Sequence, residues 1–277
     1  MSDLRQTHTV TGSDGTAIGW VQRGQGPVMV LVHGATADHT RWATVEAQLA
    51  ARFTLVMMDR RGRGLSAAEA PGPYDIEREA ADVRAVIAAA ARLQGGAPIY
   101  LFGHSYGGLC VLDAVAGDAG TAAKVAKLLV YEPAFATPGY PVIGPEALKT
   151  LVERVDAGDA DAALDYFFVT IIGVDPAVVA AMKQMPGWDQ RRAAVHTLAR
   201  EGAAANVWKP ARIAALPMPL RILVGEISPA WLRAASFAAH NAAPHSTIVE
   251  LPGQAHGAMD SAPRLFIDEV ARFWTEE

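Results

Sequence analysis

Cysteine is almost absent from this chain. Cys110 stands alone in 277 residues, so no intrachain disulfide is possible, which leans toward a reducing compartment. A domain of this length needs no such staple, because it buries roughly three quarters of the surface its unfolded chain exposes. Long apolar runs are missing too. No stretch reaches the roughly 18 apolar residues that span a bilayer, and the opening MSDLRQTHTV is polar, unlike a signal peptide. The expectation is a soluble cytoplasmic protein with no membrane partner. Basic residues are few: 24 Lys and Arg against 29 Asp and Glu leave a net charge of −5, whereas a nucleic-acid surface calls for clustered Lys and Arg. The densest basic cluster, Asp59-Arg60-Arg61-Gly62-Arg63-Gly64, is short, glycine-broken and contains an acid, so it reads as a tight loop after a strand.

What is present alternates. Val28–Val32, Thr54–Met58, Ile99–Phe102 and Lys127–Tyr131 are short apolar runs without polar alternation, the pattern of parallel strands buried on both faces. Between them, Asp75–Leu93 spaces Ile76, Ala80, Val83, Val86, Ile87 and Ala90 at helical intervals. Strand alternating with helix predicts a doubly wound α/β sheet. The opening differs: His8–Thr11, a Gly-Ser-Asp-Gly turn and Ala17–Val21 read as an antiparallel hairpin at one edge. From about Phe135 to about Pro219 the strand signal disappears. Helical pieces replace it at Glu146–Asp156, Ala160–Thr170, Pro176–Met185 and Trp188–Glu201. Pro138-Gly139 and Pro186-Gly187 within it read as hinges or as ordinary turns. The strand pattern resumes at Leu220–Val224 and Ser246–Leu251, before a closing helix at Pro263–Trp274. A helical insertion placed there would roof the crevice at the carboxyl edge of the strands.

The chemistry concentrates directly after the Ile99–Phe102 strand. Gly103-His104-Ser105-Tyr106-Gly107 is a G-x-S-x-G pentapeptide, followed by the apolar helical run Leu109–Val115. In that strand–turn–helix context a serine sits on a sharp turn, its hydroxyl held at a helix N-terminus where developing negative charge is favoured.

With four landmarks in order, the chain resembles the α/β-hydrolase superfamily over essentially its whole length. His33-Gly34-Ala35 is similar to the family's His-Gly loop, and Asp59–Ser66 to its D-x-R-G-x-G-x-S loop. The serine elbow is third, and Leu251-Pro252-Gly253-Gln254-Ala255-His256-Gly257 supplies the histidine. The resemblance implies a mostly parallel eight-stranded sheet with helices on both faces. Residues 1–133 and 220–277 would form the core, and 134–219 a helical cap. It implies Ser105 as nucleophile, His256 as its base, and the backbone N–H groups of Ala35 and Tyr106 as the oxyanion hole. Among the eight histidines, His33 and His104 read as braces of the motif loops, and His196 as a satisfied polar position or a substrate contact. His8, His39, His240 and His245 read as surface residues. No histidine pair has metal-ligand spacing, so no metal is expected.

The third triad member departs from the family's pattern. The loop after Leu220–Val224 reads Gly225-Glu226-Ile227-Ser228-Pro229, with Ser228 where most relatives carry an aspartate. A hydroxyl does not balance an imidazolium, so either Glu226 substitutes or the acid lies elsewhere. Glu132, at the end of the strand after the nucleophile's, is the favoured candidate. Haloalkane dehalogenases and zearalenone lactonases resemble this chain in carrying their acid there, and Pro133 fixes the direction in which the chain leaves. Asp113 reads as structural and Cys110 as a small core residue.

A serine nucleophile, rather than the aspartate of related dehalogenases and epoxide hydrolases, points to acyl transfer to water without a cofactor. Tyr140, Phe167, Trp188 and Trp208 of the insertion are candidate substrate contacts, with packing of the cap as the alternative for most of them. Few cations neighbour them in sequence, which favours a small hydrophobic ester or lactone over a charged substrate. A thioesterase, a carbon–carbon bond hydrolase or a perhydrolase would use the same Ser105 and His256. A small-molecule receptor on the same fold is the reading from a different class.

Overall fold

The computed structural model describes residues 5–185 and 187–276, so Pro186 of the second Pro-Gly pair lies outside the described residues. The strands are β1 (Gln6–Thr11), β2 (Ala17–Arg23), β3 (Val28–Val32), β4 (Thr54–Met58), β5 (Ile99–His104), β6 (Val125–Tyr131), β7 (Leu220–Gly225) and β8 (Ser246–Leu251). They form one sheet of eight in the order β1-β2-β4-β3-β5-β6-β7-β8. The first hairpin pairs antiparallel and joins β4 antiparallel, and every later pairing is parallel. All five residues of β3 are buried, as their unbroken apolar run requires of a strand covered on both faces.

Among the described helices, those of the core are α1 (Ala43–Ala50), α2 (Ile76–Leu93), α3 (Tyr106–Ala116) and α4 (Ala119–Ala122). Between β6 and β7 come α5 (Pro145–Asp156), α6 (Ala160–Asp165), α7 (Pro176–Met182), α8 (Trp188–Ala194) and α9 (Leu198–Val207). The chain closes with α10 (Ala230–Ala242), α11 (Ala258–Ser261) and α12 (Pro263–Thr275). Alternate residues of the central strands feed two cores. Val28, Val30, Val32 and Leu101 pack with α2, α3 and the inserted helices, while Met29, Leu31, Phe102 and Leu129 pack with α1 and α12. No helix of the described residues is long and apolar enough to cross a membrane.

The helical pieces read from the sequence recur with altered ends. The Ala160–Thr170 reading splits into α6 and a wider, π-helical turn at Tyr166–Ile172, which Gly173 ends in the left-handed region at φ 83°. The Trp188–Glu201 reading is broken by a 3₁₀ turn at Val195–Thr197. There Thr197 Oγ1 donates to the Ala194 carbonyl (2.8 Å), competing with the helical ladder. The Pro138-Gly139 pair sits in a tight turn bridging Thr137 and Tyr140.

One close backbone approach lies under the elbow. A Cβ on Gly107 would stand 2.3 Å from the His33 carbonyl oxygen and 2.4 Å from that of Val32, both backbone atoms that do not yield. Gly107→Ala is therefore expected to destabilise the fold by about 3 kcal/mol in urea unfolding. Gly253→Ala, at φ 65° with open space around it, should cost only about 1 kcal/mol. Equal losses would mean that the contact under the elbow relaxes.

Candidate active site

Ser105 lies between the last residue of β5 and the first of α3, with φ 56° and ψ −125°. Its amide donates to the Tyr131 carbonyl (2.9 Å), and its own carbonyl accepts from Gly108 (2.9 Å) and Ala134 (3.2 Å). The loop after β3 comes as near as glycine allows, since a Cβ on Gly34 would lie 2.8 Å from Ser105 Cβ. Ala35, Ser105, Tyr106, Phe167, Glu201 and Trp231 line one narrow cleft. Ala35 and Tyr106, read from the sequence as oxyanion donors, thus share a cavity with the serine.

Glu132 follows β6 directly. It is fully buried and holds φ 46°, one of three non-glycine residues in the left-handed region among the described residues, with Thr36 and Ser105. All three stand beyond strand ends at this edge of the sheet. Glu132 Oε1 accepts from the Gly225 amide (2.7 Å), and Oε2 meets His256 Nδ1 at 2.5 Å. A carboxylate there places the imidazole proton on Nδ1 and leaves Nε2 free to accept one. Glu226 does not reach the histidine. It is exposed, and its Oε2 accepts from the Gly253 amide (2.6 Å). Ser228, at the usual acid position, is buried with no partner for its hydroxyl among the described residues.

Two side chains position the histidine loop. His104 Nε2 meets the His256 carbonyl oxygen at 3.0 Å, and the two rings lie 4.5 Å apart. The Tyr131 hydroxyl donates to the Ala255 carbonyl and accepts from the Ala258 amide (3.4 Å). Sequence reasoning missed Tyr131. The available signal was a polar-tipped aromatic closing an apolar strand, directly before Glu132.

Of the four aromatics of the insertion proposed as substrate contacts, Phe167 lines the cleft and the other three lie elsewhere. Tyr140 is exposed in its turn. Trp188 packs near Phe168, with ring centroids 6.3 Å apart, and donates its indole N–H to Asp161 (2.7 Å). Trp208 packs at a tilt against Phe135 and donates to the buried Asp113 (2.7 Å), which Arg212 also binds at 2.7 Å. Each indole N–H drew its ring toward a carboxylate rather than toward the cleft. His39 is partly buried, and its backbone and ring nitrogens both bind Asp59. His196 is exposed and bonds the Ala193 carbonyl oxygen (3.0 Å).

The basic loop turns inward. Arg60 pairs with Glu79 and Glu201 (both 2.7 Å), Arg61 with Asp82 (2.7 Å) and Asp14 (2.9 Å), and Arg63 with Glu201. Burial works against the charge on Glu201, but Arg60 and Arg63 hold its carboxyl below the usual range. Asp38, His39 and Asp59 bring ligand-type atoms within 4.8 Å of one another. Asp38 Oδ1 accepts from Thr40, and both Asp59 oxygens are bonded by His39 or Leu65, bonds that brace the loop.

Fold and site together define a hydrolase of the α/β type. Residues 29–269 match the Alpha/beta hydrolase family, and the chain belongs to it. It is 28% identical over 263 residues to the 2-(acetamidomethylene)succinate hydrolase of Mesorhizobium japonicum, covering 91% of this chain and 89% of that one. A solved alpha/beta hydrolase from Sphaerobacter thermophilus superposes with a TM-score of 0.81 at 33% identity, covering 97% of this chain and 100% of the other. An esterase from Rhodococcus sp. ECU1013 superposes at 0.75 with 27% identity, covering 96% and 98%.

The His104 ring carries an electrostatic consequence. A carbonyl only accepts, so Nε2 holds the proton, while Nδ1 is buried without a partner among the described residues. Burial, then the neighbouring His256, holds its pKa well below the ordinary 6.5. The unfolded chain therefore binds this proton more readily, and the stability contributed is full above pH 6.5 and lost as pH falls. We expect unfolding free energy to drop between about pH 7 and pH 5, with His104→Gln flattening that slope by up to about 1.4 kcal/mol per pH unit. An unchanged slope in the variant would contradict a buried neutral ring.

Proposed function

We propose that this hydrolase cleaves a carboxylic ester or lactone of a small molecule with an apolar body, through an acyl-enzyme on Ser105. The observation that carries the reading is the 2.5 Å contact between His256 Nδ1 and a fully buried Glu132, at the same sheet edge as a serine held at φ 56°. Backbone strain of this kind persists only where surrounding structure enforces it, and it concentrates at sites of chemistry.

His256 Nε2 takes the Ser105 proton as Oγ attacks the substrate carbonyl, and the Glu132 carboxylate balances the imidazolium. The N–H groups of Tyr106, on the N-terminus of α3, and of Ala35 receive the oxyanion, each such donor being worth about 3 kcal/mol in the transition state. His256 then protonates the leaving oxygen. A water deprotonated by the same nitrogen attacks the acyl carbon, and Ser105 is released. Ile143, Phe167, Ile172 and Leu198 give the cleft apolar walls suited to the substrate's body. The Rhodococcus esterase supports ester cleavage. A second reading, cleavage of a carbon–nitrogen bond, is favoured by the relative named for its acetamido substrate.

A fluorophosphonate probe followed by a panel of p-nitrophenyl esters, lactones and acetamido compounds tests the reading. Labelling should vanish in Ser105→Ala, with turnover confined to the ester and lactone members. Tight binding of panel members without turnover or labelling would replace the hydrolase reading by that of a binding protein. Glu132→Gln should lower kcat about a thousandfold or more, while Glu226→Gln leaves it nearly intact. The reverse pattern of losses would move the acid to Glu226.

A further inference from the structure

Arg191, on α8, is a cation of the inserted helices that forms no ion pair with its neighbouring acids. Its Nη1 donates to Thr36 Oγ1 (2.8 Å), and its guanidinium lies 5.4 Å from the centre of the Phe168 ring. No carboxylate forms an ion pair with it among the described residues. The acids that act on it from a distance are Asp38 and Asp260. Asp38 accepts from the Thr40 amide (2.9 Å) and hydroxyl (2.5 Å), and Asp260 is bound by Arg41 (2.8 Å) and by Thr44 (3.2 Å). Burial, followed by the like charge of Arg41, pushes the Arg191 guanidinium down to about 10. A partly buried cation left uncompensated is costly for the folded chain.

Its position relates that cost to the cleft. Thr36 is buried, holds φ 59°, and follows Ala35, which lines the cleft beside Ser105. Phe168 adjoins Phe167, which lines the same cleft. Arg41 and Asp260 flank the histidine loop, since a Cβ on Gly257 would lie 3.9 Å from Arg41 Nη2 and 3.7 Å from Asp260 Oδ2. Arg191 thus touches the loop that carries Ala35, and the charges of Arg41 and Asp260 beside the His256 loop act on it from a distance. Its sequence neighbours gave no hint of this, because Thr36 and Phe168 lie far from it in the chain.

We propose that Arg191 forms a carboxylate-binding subsite at the mouth of the Ser105 cleft, selecting substrates in which the apolar body carries a carboxylate near the scissile carbonyl. A guanidinium fixed at Nη1 by Thr36 keeps its remaining N–H donors for a planar carboxylate, which it matches in geometry. The proposal rests on the hydrolase reading and narrows its substrate class from neutral esters to carboxylate-bearing ones.

The test compares p-nitrophenyl hydrogen glutarate with its methyl ester, a pair differing in one charge. The wild-type protein should favour the acid at least tenfold in kcat/KM, and glutarate should inhibit hydrolysis of the methyl ester competitively. Arg191→Gln should lower the acid-to-ester ratio at least tenfold, and Arg191→Lys should restore part of it. Arg192→Gln, an exposed neighbour paired with Asp189 and Asp161, should leave the ratio unchanged. An unchanged ratio in Arg191→Gln, or no preference and no glutarate inhibition in the wild type, overturns the subsite. If neither ester turns over and no probe labels Ser105, the hydrolase reading fails. Glutarate binding by calorimetry, present in the wild type, lost in Arg191→Gln and partly kept in Arg191→Lys, then still supports the subsite, and its absence in the wild type refutes it.

Discussion

Much of this molecule follows from one backbone constraint, the turn at which β5 becomes α3. Ser105 must hold φ 56°, and the helix behind it must bring Gly107 against the carbonyls of Val32 and His33 with no room for a Cβ. A left-handed non-glycine residue costs on the order of 1–3 kcal/mol. The neighbouring strands offset that cost: Ser105 donates to Tyr131, and Glu132, itself left-handed, donates to Leu223. Each strained residue hangs from the next strand of the sheet. The parallel register of β5, β6 and β7 is therefore also what aligns serine, carboxylate and histidine loop along one edge.

A second constraint ties the inserted helices to that edge. Glu201 of α9 accepts from Arg60 and Arg63 of the loop after β4, and Arg60 also binds Glu79 of α2. These groups are buried, and a buried pair is worth little in net stability but costly to break. The network specifies where α9 sits rather than how firmly the chain folds. Tyr74 extends it, donating to Glu79 and meeting the Tyr106 hydroxyl at 2.9 Å, so the ion pairs reach the residue after the serine.

The sheet was legible in the sequence because two-sided burial demands unbroken apolar runs, which β3 and β4 show at full length. The serine and histidine were legible because strand, tight turn and helix each leave a local mark. Glu132 was legible as a choice between two acids, and what separates it from Glu226 is a non-local contact with the Gly225 amide. The aromatics of the insertion were largely misread. An indole is apolar in composition, yet its N–H seeks a partner, and Asp161 and Asp113 lie far from Trp188 and Trp208 in sequence. Arg191 was invisible for the same reason, since nothing within its own helix indicates that Thr36 will meet it.

Cys110 sits in α3 only five residues beyond Ser105, yet it is fully buried. Burial is also the main influence raising its thiol well above the usual range, so little thiolate is available. In chemical terms the chain behaves as a cysteine-free background. Maleimides and iodoacetamides should pass it by in the folded state, so a single cysteine introduced on the surface can carry a spectroscopic label without competition from the native thiol.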